Sequence, residues 1–451
     1  MNLREVMYHA TKLRRVVHTT LNPKGPGAVR IHMVPPKFGF KATPSVIILN
    51  GKDIIPINMS WAVLLSIFIE EVNVYGGREI KHEDLELIVQ NTMKRVHKVY
   101  RKVSNDKLEE DLWRIISTLC DIAYGKEPEE KIGYMTLGEY ATNMKAPHRM
   151  DLMVSAMTKE GRWNCNQKCL HCYACGQKQA DVAELSTTEW KKIIDRCRRI
   201  GIPQLTFTGG EPTIRKDLVE LIEYSQWFVT RLNTNGVLLS KSLCQKLYDA
   251  NLDSVQITLY SWNEKVHNQL VGADNFNKTV EGIKNAIKIG LNVSINTPLC
   301  KKNKDYIRTL ESLKELGIQY VSCSGLIVTG NAELQASMET QLSEKELYET
   351  LEEATKYCGE EGMEISFTSP GWLPEEQIRQ LGLAVPTCGA CLSNMAISPD
   401  GKVVPCQSWL NGDILGDMIK DRWYSIWNGS KCISKRKYSC KMDQKCPLRK
   451  N

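Results

Sequence analysis

Between about residues 150 and 335 the chain alternates short β-branched runs with amphipathic helical patterns, and this alternation constrains the fold more than any other feature. The runs are "DLMVSAM", "QLTFTGG", "FVTRLNTNG", "SVQITLYS", "NVSINTPL" and "YVSCSGLIV". Helical patterns such as "STTEWKKIIDRCRRIG" and "FNKTVEGIKNAIKIG" separate them. Parallel neighbours need a crossover connection, usually a helix, so the spacing predicts a parallel sheet, curved or doubly wound. Ligands of such sheets gather at the C-terminal strand ends.

The flanks read differently. Residues 1–20 read as a basic amphipathic helix, with Leu3, Val6, Met7, Ala10, Leu13 and Val17 on one stripe, and "NPKGPG" (Asn22–Gly27) then breaks the chain. Two strands follow, "AVRIHMV" and "SVIILNG"; a helix opens at "NMSWAVLLSIFIEEV", where Asn58 or Ser60 can cap it. Helical patterns continue over Lys81–Val103 and Lys107–Tyr124. The polar stretch "GKEPEEKIG" reads as a linker, and beyond residue 336 a helix over Ser343–Glu361 leads into a Cys-rich tail. The expected domains are 1–130, 148–335 and 336–451.

Two or three domains suit 451 residues. No window approaches twenty apolar residues, so no membrane span is expected. The N-terminus lacks the features of a secretory signal, which leads to a cytoplasmic expectation. In a reducing compartment the 16 cysteines are not read as a disulfide framework, and clustered ones point to metal. The scattered ones, Cys120, Cys197, Cys244, Cys300, Cys323, Cys358 and Cys432, read as small hydrophobes. The net charge of +7 is densest in Lys94–Lys102 and Lys431–Lys450; neither run has the interleaved aromatics of a nucleic-acid module. They read as solvated faces, with attraction of an acidic peptide as the other use.

"CNQKCLHC" places Cys165, Cys169 and Cys172 in C-x3-C-x2-C directly after the first strand of the series. Such spacing lets three thiolates converge, and soft sulfur selects zinc, copper(I) or iron–sulfur. With Cys175 a closed four-sulfur zinc site is open to the chain; three ligands on a cubane would instead leave one iron free. "TGGEP" (Thr208–Pro212) ends the second strand. The two motifs together resemble the radical S-adenosylmethionine superfamily. That resemblance implies a partial (β/α)6 TIM-like barrel and a [4Fe–4S] cluster on Cys165, Cys169 and Cys172. The open iron would chelate S-adenosylmethionine, whose one-electron cleavage gives a 5′-deoxyadenosyl radical. It puts His171 near the adenine and Gly209, Gly210 and Glu211 at the methionine ammonium. Thr258 stands where relatives often have a serine hydroxyl, while Tyr260 departs from an aspartate. Asn235 and Asn296 lie where polar strand ends touch carboxylate or ribose, or else serve as turn and cap residues. Cys175 has no role in that pattern.

A second group holds Cys388, Cys391, Cys406, Cys440 and Cys446. Cys391 to Cys406 fits C-x9-G-x4-C, with "SPDG" as a tight turn between short strands. This resembles the SPASM and twitch extensions of radical enzymes, which hold auxiliary [4Fe–4S] clusters. The fuller C-x2-C-x5-C-x3-C run is broken by Lys437 and Lys450. One auxiliary cluster on Cys388, Cys391, Cys406 and either Cys440 or Cys446 is therefore expected, with zinc on the same residues as the alternative.

The N-terminal order resembles the winged-helix-like α+β leader-binding domain of the pyrroloquinoline quinone chaperone family, which adds a peptide strand to a sheet edge. The whole chain then reads as an α/β radical enzyme that modifies a ribosomally made precursor peptide by a thioether or carbon–carbon crosslink, oxidation or epimerisation. An external electron donor such as flavodoxin or ferredoxin would serve it. The alternatives are a radical enzyme acting on a small molecule or cofactor precursor, and a non-catalytic zinc-binding interaction protein. No catalytic acid or base stands out.

Overall fold

The computed structural model describes residues 3–21, 29–36, 43–51, 53–75, 80–141, 144–441 and 445–449; the break read at Asn22–Gly27 lies outside them. The chain divides into two compact units. One is Met1–His148 with Ile194–Gln204 and Ser225–Val229; the other is Arg149–Ile193, Leu205–Tyr224 and Thr230–Asn451.

The first unit opens with helix α1 (Leu3–Thr11) and an antiparallel meander of β1 (Val17–Leu21), β2 (Val29–Val34), β3 (Ser45–Leu49) and β4 (Asp53–Ile57), paired in that order. Helices α2 (Met59–Asn73), α3 (His82–Val96), α4 (Asn105–Ala123) and the short α5 (Leu137–Tyr140) follow. Asn58 caps α2 by accepting from the Trp61 N–H at 2.8 Å. α2 is apolar on nearly every face because it packs among α1, β1, α3 and α4.

The helix expected over residues 1–20 stops at Thr11, since the β-branched run Val16–Thr20 fits a pleated strand better than a helix. Its expected apolar stripe is also not the packed face. Leu3 and Met7 are exposed while Glu5 and His9 are buried. Polar partners decide this: Glu5 accepts from the Tyr100 and Ser60 hydroxyls at 2.6 and 2.9 Å, and His9 Nε2 lies 3.0 Å from the Met59 carbonyl.

The second unit carries β5 (Arg149–Ser155), the small hairpin β6 (Thr158–Lys159) and β7 (Arg162–Trp163), then the first half of α6 (Thr187–Ile200), whose residues from Ile194 onward count with the first unit. It also holds, apart from their first residues, β8 (Gln204–Gly209) and β9 (Val229–Thr234), with α7 (Leu218–Tyr224), α8 (Lys241–Asp249) and β10 (Ser254–Thr258). α9 (Glu264–Val271), α10 (Phe276–Ile289), β11 (Val293–Pro298), α11 (Ile307–Glu315), β12 (Tyr320–Ser324), α12 (Gln335–Met338), α13 (Glu344–Glu360) and β13 (Glu364–Phe367) continue it. The tail adds α14 (Glu375–Gln380), β14 (Asn394–Ile397), β15 (Lys402–Val404), β16 (Gly416–Asp417), α15 (Trp423–Trp427) and α16 (Ser430–Ser439). The six expected strands lie side by side in chain order, β5-β8-β9-β10-β11-β12, as a (β/α)6 series demands. The sheet does not close. β13 extends it parallel to β12, and β14 adds parallel to β5 and leads through the "SPDG" turn to β15 and β16. Among the described residues no helix is long and apolar enough to cross a membrane.

The first unit also holds a buried histidine group. His18 on β1 stands opposite His32 on β2, with ring centroids 5.1 Å apart at 87°. Arg198 Nε donates to His18 Nε2 at 3.0 Å and its guanidinium lies 3.9 Å over Trp227. Burial pushes His18 and His148 down to about 4 and His32 well below the usual imidazole value; the Arg30 and Arg198 charges add to this. These rings fold neutral, whereas the unfolded chain binds protons near the ordinary value. Stability is therefore expected to fall as pH drops from 6.5 towards 4, by about 1.4 kcal/mol per pH unit for each such histidine. Calorimetric scans of the full chain at stepped pH check it; an acid-insensitive first transition refutes it.

Candidate functional site

The loop after β7 carries Cys165, Cys169 and Cys172, all half-buried. It is held by segments from the second half of the barrel series. Lys168 and Leu170 N–H groups donate to the Val271 and Leu270 carbonyls at 2.9 and 2.8 Å, at the end of α9. Asn331 donates its side chain to the Cys169 carbonyl and its N–H to the Cys172 carbonyl, at 3.0 and 2.9 Å. Ser337 caps the Leu170 carbonyl at 2.9 Å, and Trp163 Nε1 spans the loop to Gln167 O at 2.9 Å. Backbone carbonyls so pinned leave the thiols little freedom to scatter. Burial, reinforced by Glu211 and Cys172, pushes the Cys165 thiol up to about 12; Cys169 and Cys172 rise for the same first reason. Without a metal the three stay protonated, and a soft cation must displace their protons.

The Gly-Gly-Glu turn at the end of β8 abuts this loop. Gly209 has φ +137, and a Cβ there would sit 2.3 Å from the Ser155 carbonyl; one at Gly210 would lie 2.8 Å from the Ala156 carbonyl. Only glycine brings the two strand ends this close. Glu211 is fully buried, and burial raises its pKa against the pull of its hydrogen bonds. Its Oε1 accepts from the Thr213 N–H and hydroxyl and the Thr234 hydroxyl at 3.0, 2.5 and 2.6 Å; Oε2 accepts from the Asn235 N–H at 2.8 Å. The carboxylate is thus largely spent on its own turn and on the end of β9. Asn235 continues the chain, donating Nδ2 to Asn166 Oδ1 at 2.6 Å, inside the cysteine loop. Nothing in the sequence singles out Asn166; its signal is only its place between Cys165 and Cys169.

Thr258 and Asn296 are neighbours in the register of β10 and β11. Asn296 Oδ1 accepts from the Ser322 hydroxyl at 3.0 Å, and Ser322 accepts from Gln256 Nε2 at 3.2 Å. Gln256 and Ser322 thus join the two expected residues in one polar row across β10, β11 and β12. Strand alternation could have suggested it, since residues two apart share a face. His171 is buried, lies 2.8 Å from the Thr340 hydroxyl through Nε2, and tilts against Tyr260 at 6.0 Å. Burial and Lys302 lower it to about 4, so the ring is neutral. Cys175 is engaged by Asn331 and also neighbours Cys172, whose thiol meets its backbone N–H.

In the tail, Cys388, Cys406 and Cys446 lie within electrostatic reach of one another. Cys440 neighbours Arg436 instead. Cys391, φ +58, has its N–H on the Asn394 and Pro405 carbonyls at 3.0 and 3.3 Å, which sets it beside Cys406. The parallel pairing of β14 with β5 brings this group to the barrel, where Tyr173 stands near both Cys172 and Cys406. Gln177 locks the two segments, accepting from the Leu410 and Asn411 N–H groups at 2.9 and 2.8 Å and donating to Ser408 O at 3.0 Å.

Among the described residues no three or more His, Cys, Asp or Glu groups close on a single metal ion. Four buried polar atoms on or beside the cysteine loop lack a partner among the described residues: Ser155 Oγ, Asn166 Nδ2, Gln167 Nε2 and His171 Nδ1. Buried donors of this kind ask for a ligand. Thiols, orphaned amides and a glycine-only approach fit a soft-metal cluster and a polar, zwitterionic cofactor.

A family model described as the radical SAM superfamily matches residues 164–310, and one for the SPASM iron–sulfur cluster-binding domain matches residues 388–447. The chain is 28% identical to a probable GTP 3′,8-cyclase of Saccharolobus islandicus over 247 residues, 54% of this chain and 79% of that protein. It is 28% identical to an AdoMet-dependent heme synthase of Methanosarcina barkeri over 307 residues, 63% and 85% of the two. In structure it resembles Streptococcus suis SuiB bound to precursor peptide SuiA, with a TM-score of 0.59, 15% identity, and 89% and 91% of the two chains covered. These domains imply a [4Fe–4S] cluster with S-adenosylmethionine, and auxiliary iron–sulfur chemistry in the tail. The chain carries a radical SAM domain followed by a SPASM iron–sulfur cluster-binding domain.

Proposed function

We propose that this radical enzyme modifies a precursor peptide, with Cys165, Cys169 and Cys172 holding the catalytic cluster. The observation that carries the site is the hydrogen-bonded chain Glu211–Asn235–Asn166, which ties the Gly-Gly-Glu strand end to the cysteine loop. The chemistry that such a cluster and S-adenosylmethionine supply is one-electron cleavage of the sulfonium, giving methionine and a hydrogen-abstracting 5′-deoxyadenosyl radical. Around it, the carbonyls of Gly209 and Gly210 are left to meet the ammonium, because the Glu211 carboxylate is already taken by four donors. Thr258, Asn296 and their row would offer hydroxyl and amide groups to ribose or substrate, and neutral His171 would stand near the adenine without adding charge. Cys388, Cys391, Cys406 and Cys446 hold one auxiliary [4Fe–4S] cluster; Cys440 stands apart. Electrons come from a flavodoxin or ferredoxin.

A peptide substrate is supported by the first unit, an antiparallel sheet packed with helices whose strands β1 and β4 lie at its edges, and by the likeness to a protein bound to its precursor peptide. Tethering a leader there would raise the effective concentration of the core at the barrel. Names of the two curated relatives point to small molecules, which keeps chemistry on a nucleotide or tetrapyrrole as the second reading.

Anaerobically reconstituted protein should hold about eight irons per chain and little zinc. Replacing Cys165 by Ala should remove about half of the iron, Cys446→Ala the other half, and Cys440→Ala none. Zinc that survives Cys165→Ala would favour the interaction-protein alternative. Glu211→Gln turns an amide donor towards donors already in place, at a cost of about 1–3 kcal/mol; lower thermal stability and weaker S-adenosylmethionine binding by calorimetry are the expected readings. Co-expression with a short peptide encoded beside the gene should change the peptide's mass, and Cys165→Ala should abolish the change. An untouched peptide, with cofactor cleavage stimulated by a small molecule, would favour the second reading.

A further inference from the structure

The connector that leaves α4 at Ala123 turns back over its own unit before α5 begins. It is held at three points. Glu130 Oε1 lies 3.5 Å from Arg114 Nε on α4, Ile132 packs against the core of the first unit, and the Met135 N–H donates to the Ile54 carbonyl on β4 at 2.8 Å. Burial alternates along it: Glu130 and Ile132 are half-buried, whereas Glu129, Lys131 and Gly133 are exposed. An extended segment laid on a surface shows this period of two. The connector therefore crosses from α4 to the outer edge of the sheet.

β4 is the last strand of that sheet and pairs with β3 alone. Ile54 stands opposite Ile48, and its carbonyl is bonded to Met135, so the main-chain groups of Ile54 face away from β3. Pro56, two residues on, faces the same way and brings a carbonyl but no N–H. A strand added here finds few rungs, and its side chains must supply the rest of the recognition. The connector already meets those terms. It sets a backbone donor on Ile54, an aliphatic side chain on the core and a carboxylate at Arg114, which also pairs with Glu110 at 2.8 Å. One backbone bond and one exposed ion pair hold weakly, so the segment is displaceable.

We propose that the connector fills a peptide-docking groove between α4 and β4 as an internal competitor. A precursor peptide displaces it by presenting the same pattern: a carboxylate, a branched aliphatic residue two positions on, and a backbone donor three further. The inference rests on the reading of the first unit as a peptide-docking domain. A tethered competitor acts at high effective concentration, and it lowers the apparent affinity by the fraction of chains whose groove is open. Peptides without the pattern fail to clear it. The connector thus screens substrates while covering a sheet edge that would otherwise pair with other chains.

The test uses the full chain and a fluorescent synthetic peptide of residues 127–136, with binding read by anisotropy. Met135→Pro removes the donor to Ile54, and a Gly/Ser linker of equal length in place of residues 127–135 removes the connector's side chains. Each variant should bind the labelled peptide about tenfold tighter than the parent, with unchanged far-UV circular dichroism. In the linker variant, Arg114→Glu should weaken binding about threefold, and a peptide carrying Glu130→Arg should recover it. The precursor peptide encoded beside the gene should displace the labelled one. Equal affinities in the parent and both variants overturn the proposal, as does a precursor that fails to compete. A first unit that unfolds in both variants makes the connector structural and overturns it too. The mass of the co-expressed peptide separates the two readings. A precursor that is modified yet does not compete refutes this inference alone, whereas one that is neither bound nor modified refutes the peptide reading as well.

Discussion

The site depends on one buried carboxylate. Glu211 gathers donors from its own turn and from the end of β9, and Asn235 passes the connection into the cysteine loop. A buried carboxylate is costly unless its lone pairs are filled, and here both oxygens are. Satisfying it fixes three pieces of chain at once: the Gly-Gly turn, the β9 end and the stretch between the first two cysteines. The same bonds explain why an acidic residue sits in the turn without its charge being free for a ligand. Its role is to hold the glycine carbonyls and the thiols in register.

A second constraint works at the sheet edge. β5, the first strand of the barrel series, is left with a free side once β8 has paired on the other. Parallel addition of β14 fills it, and the tail's cysteines arrive at the barrel by backbone pairing rather than by side-chain contact. The Gln177 clamp on residues 408–411 then sets the distance between the two thiol groups. An apolar layer of Met153, Ala396, Val404 and Leu410, with Trp163 and Tyr173 packed on it, lies at this junction. Two redox sites kept in fixed relation across a dry layer are what electron exchange between them would require.

Much of this was legible in the sequence, and the residues show why. The six barrel strands announce themselves because each is a β-branched run closed by a turn, and three thiols and two glycines sit at their ends. The strand pairing of β14 with β5 was not legible, since the run "NMAI" carries no mark of its partner. α1 misled for a related reason: its apolar stripe satisfies a helical period, yet Glu5 and His9 found hydrogen-bond partners on α2 and after α3, and burial followed those bonds. Asn166 and Ser322 stayed hidden as ordinary polar residues until register and hydrogen bonding gave them work.

The protonated state of the thiols links metal to folding. Burial holds Cys165 and Cys406 near 12, so neither is a thiolate until a metal replaces its proton. The protein accepts buried, neutral thiols for the apo state and a compensated charge for the loaded one. The consequence differs between the two groups. The first loop is pinned by carbonyl bonds from α9, Asn331 and Ser337, and keeps its shape without metal. Among the described residues Cys446 is held by its N–H on the Pro370 carbonyl, the Arg449 N–H on its own carbonyl, the Tyr438 hydroxyl on Lys445 O, and Arg449 over Trp372. Metal binding at the tail therefore contributes more of its order than at the barrel, and α16, anchored through Ser439 and Arg436 whether or not metal is present, is the surface on which that last cysteine is brought into place.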